Sequence, residues 1–172
     1  MERLSMSYGR LRNSILSARD RRQEHLEVYL MGRYPSAVFL SLNIPGTDKN
    51  RPGVESLFSR ALLGFFTAFP NAGNLTRSLD LLGPYAFISL DREPACVKRR
   101  CIEMEGADPC ARLIDFDIFD ESGCQVDRAT LGLPPRSCLV CGLPAVECIR
   151  LRRHAAWEVT GRADELLALS RY

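Results

Sequence analysis

Two aspartates within residues 112–119 are spaced so that they could hold a metal ion. The stretch alternates in character, and on a β-strand alternate side chains share one face. Its isoleucines and Phe116 would then face the core. Leu113, Asp115 and Asp117 would face the other way, with the Cβ atoms of the two aspartates about 7 Å apart. Carboxylate oxygens suit Mg²⁺, and metal ions serve phosphoryl displacement. The pattern therefore predicts a Mg²⁺ site; a solvated polar face on an exposed strand is the alternative.

A second group of residues has the spacing of zinc ligands. Cys138, Cys141, Cys148 and His154 are separated by two, six and five residues. Three thiolates and one imidazole would complete a tetrahedral Zn²⁺ site with no open position, so that the metal would be structural. The chain has seven cysteines, an odd number that does not indicate a disulfide framework. The alternative is three reduced cysteines and a surface histidine.

Residues 44–50 follow an apolar stretch and precede a predicted helix. The main-chain N–H groups of such a turn suit a phosphate, and Lys49 could neutralise its charge. Lys49 and Lys98 are the two lysines among 23 basic residues, and a lysine offers a compact point charge that arginine does not. The alternative is an ordinary connecting loop.

The elements that must position these groups follow from hydrophobic periodicity. Helical spacing predicts helices over 10–30, 54–69 and 164–170, and Glu93-Pro94 is typical of a helix start, with an end near Glu105. Apolar stretches predict strands over 37–44, 85–90 and 112–119, and a glycine turn predicts a hairpin with 124–129. This order indicates an α+β fold with a mostly antiparallel sheet and helices packed on one face.

Composition narrows the class of protein. The net charge of +2 and the aromatic content of 8% argue against a nucleic-acid-binding protein. We expect no membrane-spanning helix and no secretory signal, and therefore a location in the cytoplasm.

A Leu-Pro-Pro stretch at 133–135 predicts a division into an α+β catalytic domain over 1–132 and a Cys/His-rich segment over 133–172. That segment would end in the last helix, packed on the same domain.

Several stretches together resemble one known family. They are 18–23, 43–50, 111–119, Asp127-Arg128, 133–141 and the positions Ala145, Cys148, Arg150 and His154. In these stretches the chain is similar to the apo-citrate lyase phosphoribosyl-dephospho-CoA transferases, also called citrate lyase holo-acyl-carrier-protein synthases. The resemblance spans residues 17–157, and its C-terminal half is the more specific part.

The resemblance implies an activity and its partners. Such enzymes transfer phosphoribosyl-dephospho-CoA from its 5″-triphosphate precursor to a serine of the citrate lyase acyl carrier protein, the γ subunit, and release pyrophosphate. Asp115 and Asp117 would hold Mg²⁺ against the triphosphate, and Glu105 or one of that pair would help to deprotonate the serine. The donor would be bound by Arg19, Lys49, Asn50, Arg112 and Arg128.

Two other functions remain open from the sequence. One is the equivalent transferase for the malonate decarboxylase carrier protein, which uses the same donor. The other is a non-enzymatic module, stapled by zinc, that binds an anionic partner. For either transferase, the arginines at 150, 152 and 153 are candidates for steering an acidic carrier protein.

Overall fold

The fold was described from a computed structural model that covers residues 2–30 and 34–170, with side chains from residue 9 onward. The elements are α1 (Glu2–Leu30), β1 (Ser36–Leu42), α2 (Val54–Ala68), β2 (Leu75–Asp80), β3 (Gly83–Leu90), α3 (Pro94–Glu105), a 3₁₀ turn (Cys110–Leu113), β4 (Ile114–Asp120), β5 (Gln125–Val126), α4 (Ala145–Arg150) and α5 (Ala156–Leu169).

The strands form one antiparallel sheet in the order β2-β3-β1-β4-β5. In β1 and β4, Leu40 lies opposite Phe116 and Val38 lies opposite Ile118. These four side chains are fully buried on the face covered by α2, α3 and α5. Burial of a large apolar side chain stabilises a fold by about 1.5–3 kcal/mol, so this layer fixes the position of β4. The predicted α+β class with a mostly antiparallel sheet is confirmed.

Helix α1 differs from the predicted arrangement because it covers the opposite face of the sheet. Leu26 of α1 packs in a separate buried cluster with Ala37, Tyr85 and Phe87. The guanidinium of Arg22 lies 4.3 Å from the centre of the Tyr85 ring. Helix α1 covers the aromatic side chains of this second face with an apolar stripe and with cation–π contacts from Arg22 to Tyr85 and Phe39.

Three predicted elements differ in detail. Residues 75–80, for which the sequence predicted no definite element, form β2, which pairs with β3 through a turn at residues 81–82 that is followed by Gly83, where φ is +98°. Leu113 does not share the face of the two aspartates: it belongs to the 3₁₀ turn and is fully buried in the main core. Helix α5 begins at Ala156 rather than 164, and β5 has two residues rather than six.

The C-terminal part packs on the main core through its last helix. Ala163, Leu166 and Leu167 of α5 are buried in the same cluster as β1 and β4. The residues between the proline pair and α5 contain only one short helix, α4, and an isolated bridge between Ser137 and Pro144. Among the described residues, no helix combines the length and apolarity that crossing a bilayer requires.

Candidate active site

The two aspartates of β4 face away from the main core. Ile114, Phe116 and Ile118 are buried, whereas Asp115 and Asp117 alternate with them and are partly exposed. Asp115 lies opposite Ser41 of β1, and Asp117 lies opposite Phe39. The structure therefore brings the carboxylates to one face, in the arrangement that the alternation predicts.

Side chains, rather than a neighbouring strand, form hydrogen bonds with part of the main chain at the outer edge of β4. Strand β5 pairs only with Ile118 and Phe119, so the main-chain groups before them need other partners. The Phe116 carbonyl accepts a hydrogen bond from Lys98 Nζ (2.5 Å), and the Phe116 N–H donates to Glu105 (3.0 Å). The Ile114 carbonyl accepts one from Arg136 (2.8 Å). Three charged side chains are thereby held beside the two aspartates.

These charges form a connected network. Glu105 is buried and accepts from Arg128 (2.9 Å) and from Arg136 (2.8 Å). The same Arg136 lies 3.3 Å from Asp115. Burial by itself would lower the pKa of Arg136, but the charges of Glu105 and Asp115 hold that pKa above its ordinary value. Arg136 is therefore a fixed cation between the core and the aspartate pair.

Asp117 lies where a second negative charge is costly. Burial, followed by the charge of Asp115, raises the pKa of Asp117 to about 6, although Lys98 opposes the shift. Gln125 of β5 donates a hydrogen bond to Asp117 Oδ1 (2.6 Å). A hard cation between the two carboxylates would relieve their repulsion, so this donor set fits Mg²⁺.

Two cavities meet at this network. The smaller has a volume of about 300 Å³ and is lined by Asp115, Asp117 and Lys98. The larger has a volume of about 1110 Å³ and opens between the end of α3 and residues 134–162. Glu105, Arg128, Pro135 and Arg136 line both. We call the first the acidic groove and the second the arginine cleft. A single extended ligand could occupy both.

The Cys/His cluster forms the far wall of the arginine cleft. The ligand atoms of Cys138, Cys141, Cys148 and His154 all lie within 4.8 Å of one another. Cys141 Sγ is 3.5 Å from Cys148 Sγ and 3.2 Å from His154 Nε2. Because Zn–S and Zn–N bonds are about 2.3 and 2.0 Å long, four such atoms could surround a metal such as zinc.

Hydrogen bonds lower the pKa of one of these thiols, Cys138. Burial opposes ionisation of Cys138, but the N–H groups of Cys141 and Val140 hold the pKa of Cys138 below its usual value. Burial, with hydrogen bonds from Cys141 and Cys138, raises the pKa of Cys148 to about 11. The second shift is what neighbouring thiols produce when no cation lies among them.

The structure brings together some of the predicted residues and leaves others apart. Glu105, Arg112 and Arg128 line the arginine cleft. Of the remaining predicted donor-binding residues, Arg19 is an exposed residue of α1. Lys49 packs its main chain beside Gly83, at the edge of β3, which is two strands from β4. Its ammonium donates to the Ile44 carbonyl.

Burial, followed by the charge of Arg51, lowers the pKa of Lys49. Within the described ranges, neither cavity is lined by Arg19, Lys49 or the neighbouring Asn50.

Three residues of the network were absent from the predicted site: Lys98, Arg136 and Gln125. The sequence carries a signal for two of them. Lys98 is one of two lysines in an arginine-rich chain, and Arg136 is two residues before the first cysteine of the cluster. Gln125 has no such signal, because only the pairing of β5 with β4 brings it to Asp117.

Comparison with known proteins identifies the family of the chain. The profile of the apo-citrate lyase phosphoribosyl-dephospho-CoA transferase family matches residues 11–169. A protein of that name from Citrobacter koseri is 28% identical over 89% of this chain and 86% of its own length. A probable apo-citrate lyase phosphoribosyl-dephospho-CoA transferase from Streptococcus pyogenes is 31% identical over 90% of this chain and 84% of its own length. Protein CitXG of Haemophilus influenzae is 29% identical over 89% of this chain but 34% of its own length.

Proposed function

The chain belongs to the apo-citrate lyase phosphoribosyl-dephospho-CoA transferase family, and we propose that its acidic groove is the centre of that transfer. One observation carries the proposal. Two carboxylates that suit Mg²⁺ face a fixed arginine, Arg136, at the point where the groove joins a cleft large enough for a nucleotide. A surface-exposed aspartate pair with solvated surroundings would have neither the cations nor the cleft.

The reaction joins the donor to the carrier protein through a phosphodiester. The serine oxygen of the citrate lyase acyl carrier protein attacks the α-phosphorus of the 5″-triphosphate. The bond from that phosphorus to the bridging oxygen breaks, pyrophosphate leaves, and the serine proton passes to a base. Negative charge grows on the leaving pyrophosphate, so fixed cations beside it lower the barrier.

Asp115 and Asp117 would hold the Mg²⁺, which supplies charge neutralisation on the triphosphate when bound. Arg136 and Lys98 add fixed positive charge at the same groove. Both are anchored to the main chain of β4, so they need no reorganisation during the reaction.

Glu105 acts in this proposal as a positioning residue rather than as the base. Its carboxylate accepts hydrogen bonds from the Phe116 N–H, Arg128 and Arg136, which leaves little capacity to take a proton from serine. By holding both arginines it sets the direction of their charge. Arg128 and Arg112 are proposed to bind the donor from the cleft, and the roles of Arg19, Lys49 and Asn50 stay predictions.

The Cys/His cluster is proposed to hold a structural Zn²⁺. The donor set is complete with four protein ligands, so no position is left for a substrate. The metal would fix residues 138–154, which form one wall of the arginine cleft. We also propose that the enzyme works in the cytoplasm, because none of the seven cysteines is in a disulfide and unpaired cysteines are typical of a reducing compartment.

The carrier protein is proposed to dock near this wall. Val146, Ile149 and Trp157 are large apolar side chains with 64%, 76% and 75% exposure, and Arg150 and Arg153 lie among them in the sequence. Acyl carrier proteins are usually acidic, so a basic and apolar surface suits one.

The test of the function is the substitution Asp115→Asn. Purified wild-type and variant proteins are incubated with the carrier protein, triphosphoribosyl-dephospho-CoA and Mg²⁺, and mass spectrometry follows attachment of the prosthetic group. Loss of a group that stabilises charge in a transition state typically costs 10²–10³-fold, so we expect a fall of about that size in the variant.

Asp91→Asn, at an exposed bend before α3, is the matched control and should leave the rate unchanged. Undiminished attachment by Asp115→Asn would show that the acidic groove is not the reaction centre.

A further inference from the structure

The arginine cleft is larger than the phosphate chemistry of the acidic groove requires. Its volume of about 1110 Å³ is more than three times that of the groove, about 300 Å³. Pockets for small organic ligands usually range from about 300 to 1,000 Å³. The groove suffices for a metal-bound triphosphate, whereas the cleft has room for a ligand that combines a nucleotide with a long side arm.

The cleft also contains positive charge that the protein does not neutralise. Arg112 donates only to the main-chain carbonyls of Ser137 and Cys138, which carry no net charge. Arg152 has no ion pair within residues 9–30 and 34–170. Arg162 pairs with the exposed Glu165 (2.7 Å), an interaction that solvent weakens. These three guanidiniums line a concave surface, which favours an anion with more than one charge.

The backbone places one of these arginines at a conformational cost. Arg152 has a φ of +46°, the single positive value for a non-glycine residue in the described part of the chain. Such a conformation is unfavourable for a residue with a side chain, and glycine would avoid that cost. The residue kept at this turn is an arginine that lines the cleft.

Apolar side chains complete the wall. Ile102, Leu139 and Val159 line the cleft between the arginines. A ligand that fits must therefore offer both a polyanionic group and an extended uncharged surface. Free inorganic phosphate or pyrophosphate would satisfy the arginines and leave the apolar wall exposed to water.

We propose that the arginine cleft binds the dephospho-CoA part of the donor, with Arg152 and Arg162 on its diphosphate and the apolar wall against its uncharged arm. The identity of the occupant rests on the proposed function. The donor carries two separate polyphosphates, a diphosphate within dephospho-CoA and a reactive triphosphate on the added ribose. The protein has two joined cavities, and both linings include cationic side chains. The proposal places the triphosphate in the acidic groove and the diphosphate in the arginine cleft.

The test uses dephospho-CoA itself, which lacks the triphosphate. Its binding to the full-length protein is measured by isothermal titration calorimetry for the wild type, Arg152→Ala and Arg162→Gln. A hydrogen bond to a charged group is worth about 1.5–3 kcal/mol, so each substitution should weaken binding by about tenfold or more. Arg100→Gln is the matched control, because Arg100 also pairs with a glutamate three residues later on an exposed helix surface (2.6 Å).

The outcomes separate this proposal from the proposed function. Asp115→Asn should bind dephospho-CoA as the wild type does while losing transfer, since the diphosphate does not reach the groove. No binding to the wild type, or equal binding to the wild type and both cleft variants, would overturn the assignment even if transfer depends on Asp115. A higher KM for the carrier protein in the cleft variants, without weaker dephospho-CoA binding, would overturn it in favour of the carrier protein as the occupant.

Discussion

The edge of β4 and the Cys/His segment hold their functional groups by different physical means. At the edge, Phe116, Ile118 and Val97 are fully buried. The charged side chains of β4 and α3 therefore belong to elements whose positions are fixed by this core. Between residues 133 and 155, the buried apolar side chains are the two cysteines Cys138 and Cys148. The acidic groove is therefore preformed by hydrophobic packing, whereas the proposed zinc site would have to hold the cleft wall in place.

Two arginines join these regions. Arg136 lies two residues before Cys138 and contacts Glu105 and Asp115, while Arg112 donates to the Cys138 carbonyl (2.5 Å). Disorder in the Cys/His segment would consequently withdraw a cation from the groove, although the β4 strand itself would remain. The difference between the regions predicts which measurements respond to which change.

Removal of the metal should have the largest effect, and it should be confined to one region. Treatment with a chelator, or Cys141→Ser, is expected to speed amide hydrogen exchange in 137–150 by several orders of magnitude. Structural Zn²⁺ sites contribute about 10–16 kcal/mol in small peptides, so a segment with little apolar burial cannot stay ordered without the ion. Exchange in β3 should change little, and transfer should fall because Arg136 loses its position.

Cys96→Ser is the control for this experiment, because Cys96 is an exposed cysteine outside the cluster. Elemental mass spectrometry should find about one zinc per chain in the wild type and in this variant. A wild-type protein that is free of metal and still protected in 137–150 would contradict the structural role.

Glu105→Gln should have the next largest effect, and it acts on the edge of β4. The substitution leaves Arg128 and Arg136 beside a neutral group in a buried position. Removing one partner of a buried ion pair costs about 3–5 kcal/mol, and the partial exposure of the two arginines reduces the expected loss to about 2–3 kcal/mol. Urea unfolding would measure it.

Glu103→Gln on the same helix is the matched control, with an exposed pair to Arg100 (2.6 Å) and an expected change below about 0.5 kcal/mol. Zinc content should be equal in both variants. A Glu105→Gln protein as stable as this control would show that the edge network contributes nothing to stability.

Asp117→Asn should have the smallest effect and the opposite sign. In the metal-free protein the pKa of Asp117 is raised from 3.8 to about 6, so its ionised form is unfavourable in the fold. The shift corresponds to at most about 3 kcal/mol, and solvent screening at this partly exposed position reduces the expected gain of the variant to about 1 kcal/mol above pH 6. The gain should shrink as the pH falls from 6 to 4 and vanish below that, where the aspartate is protonated in both states.

Thermal unfolding between pH 4 and pH 8 without Mg²⁺ would measure this difference. Added Mg²⁺ should stabilise the wild type more than the variant, because the variant lacks one of the two carboxylates. A stability difference that does not change with pH would contradict the raised pKa of Asp117.

Local pattern was sufficient to predict several parts of the site. The alternation in 112–119 predicted the shared face of Asp115 and Asp117, because the two-residue period of a strand is a local property. The spacing of the four ligands predicted the Cys/His cluster for a similar reason: short loops limit how far the ligand atoms can separate. The start of α3 followed from Glu93-Pro94, with proline at a first-turn position, and the structure adds that the Glu93 side chain accepts from two N–H groups of that turn.

Other features depend on contacts between distant parts of the chain. Nothing near Lys98 in the sequence indicates that its ammonium binds the Phe116 carbonyl. That contact exists because β5 is two residues long and leaves the edge of β4 open for α3. The cover of the second sheet face by α1, which the sequence placed with the other helices, is a similar case: the helix period identifies an apolar stripe but not the surface it meets.

The sequence by itself determined most of the elements, the two candidate ligand sets and the family, since each rests on residue type and spacing along a few turns or strands. Only the tertiary structure decided that the aspartate pair, the edge cations and the arginine cleft meet in one place. Glu105 pairs with Arg128, 23 positions later, and with Arg136, further along the chain, and these groups meet only after the core has packed. Long-range charge pairing of this kind has no local period, so no pattern along the chain reports it.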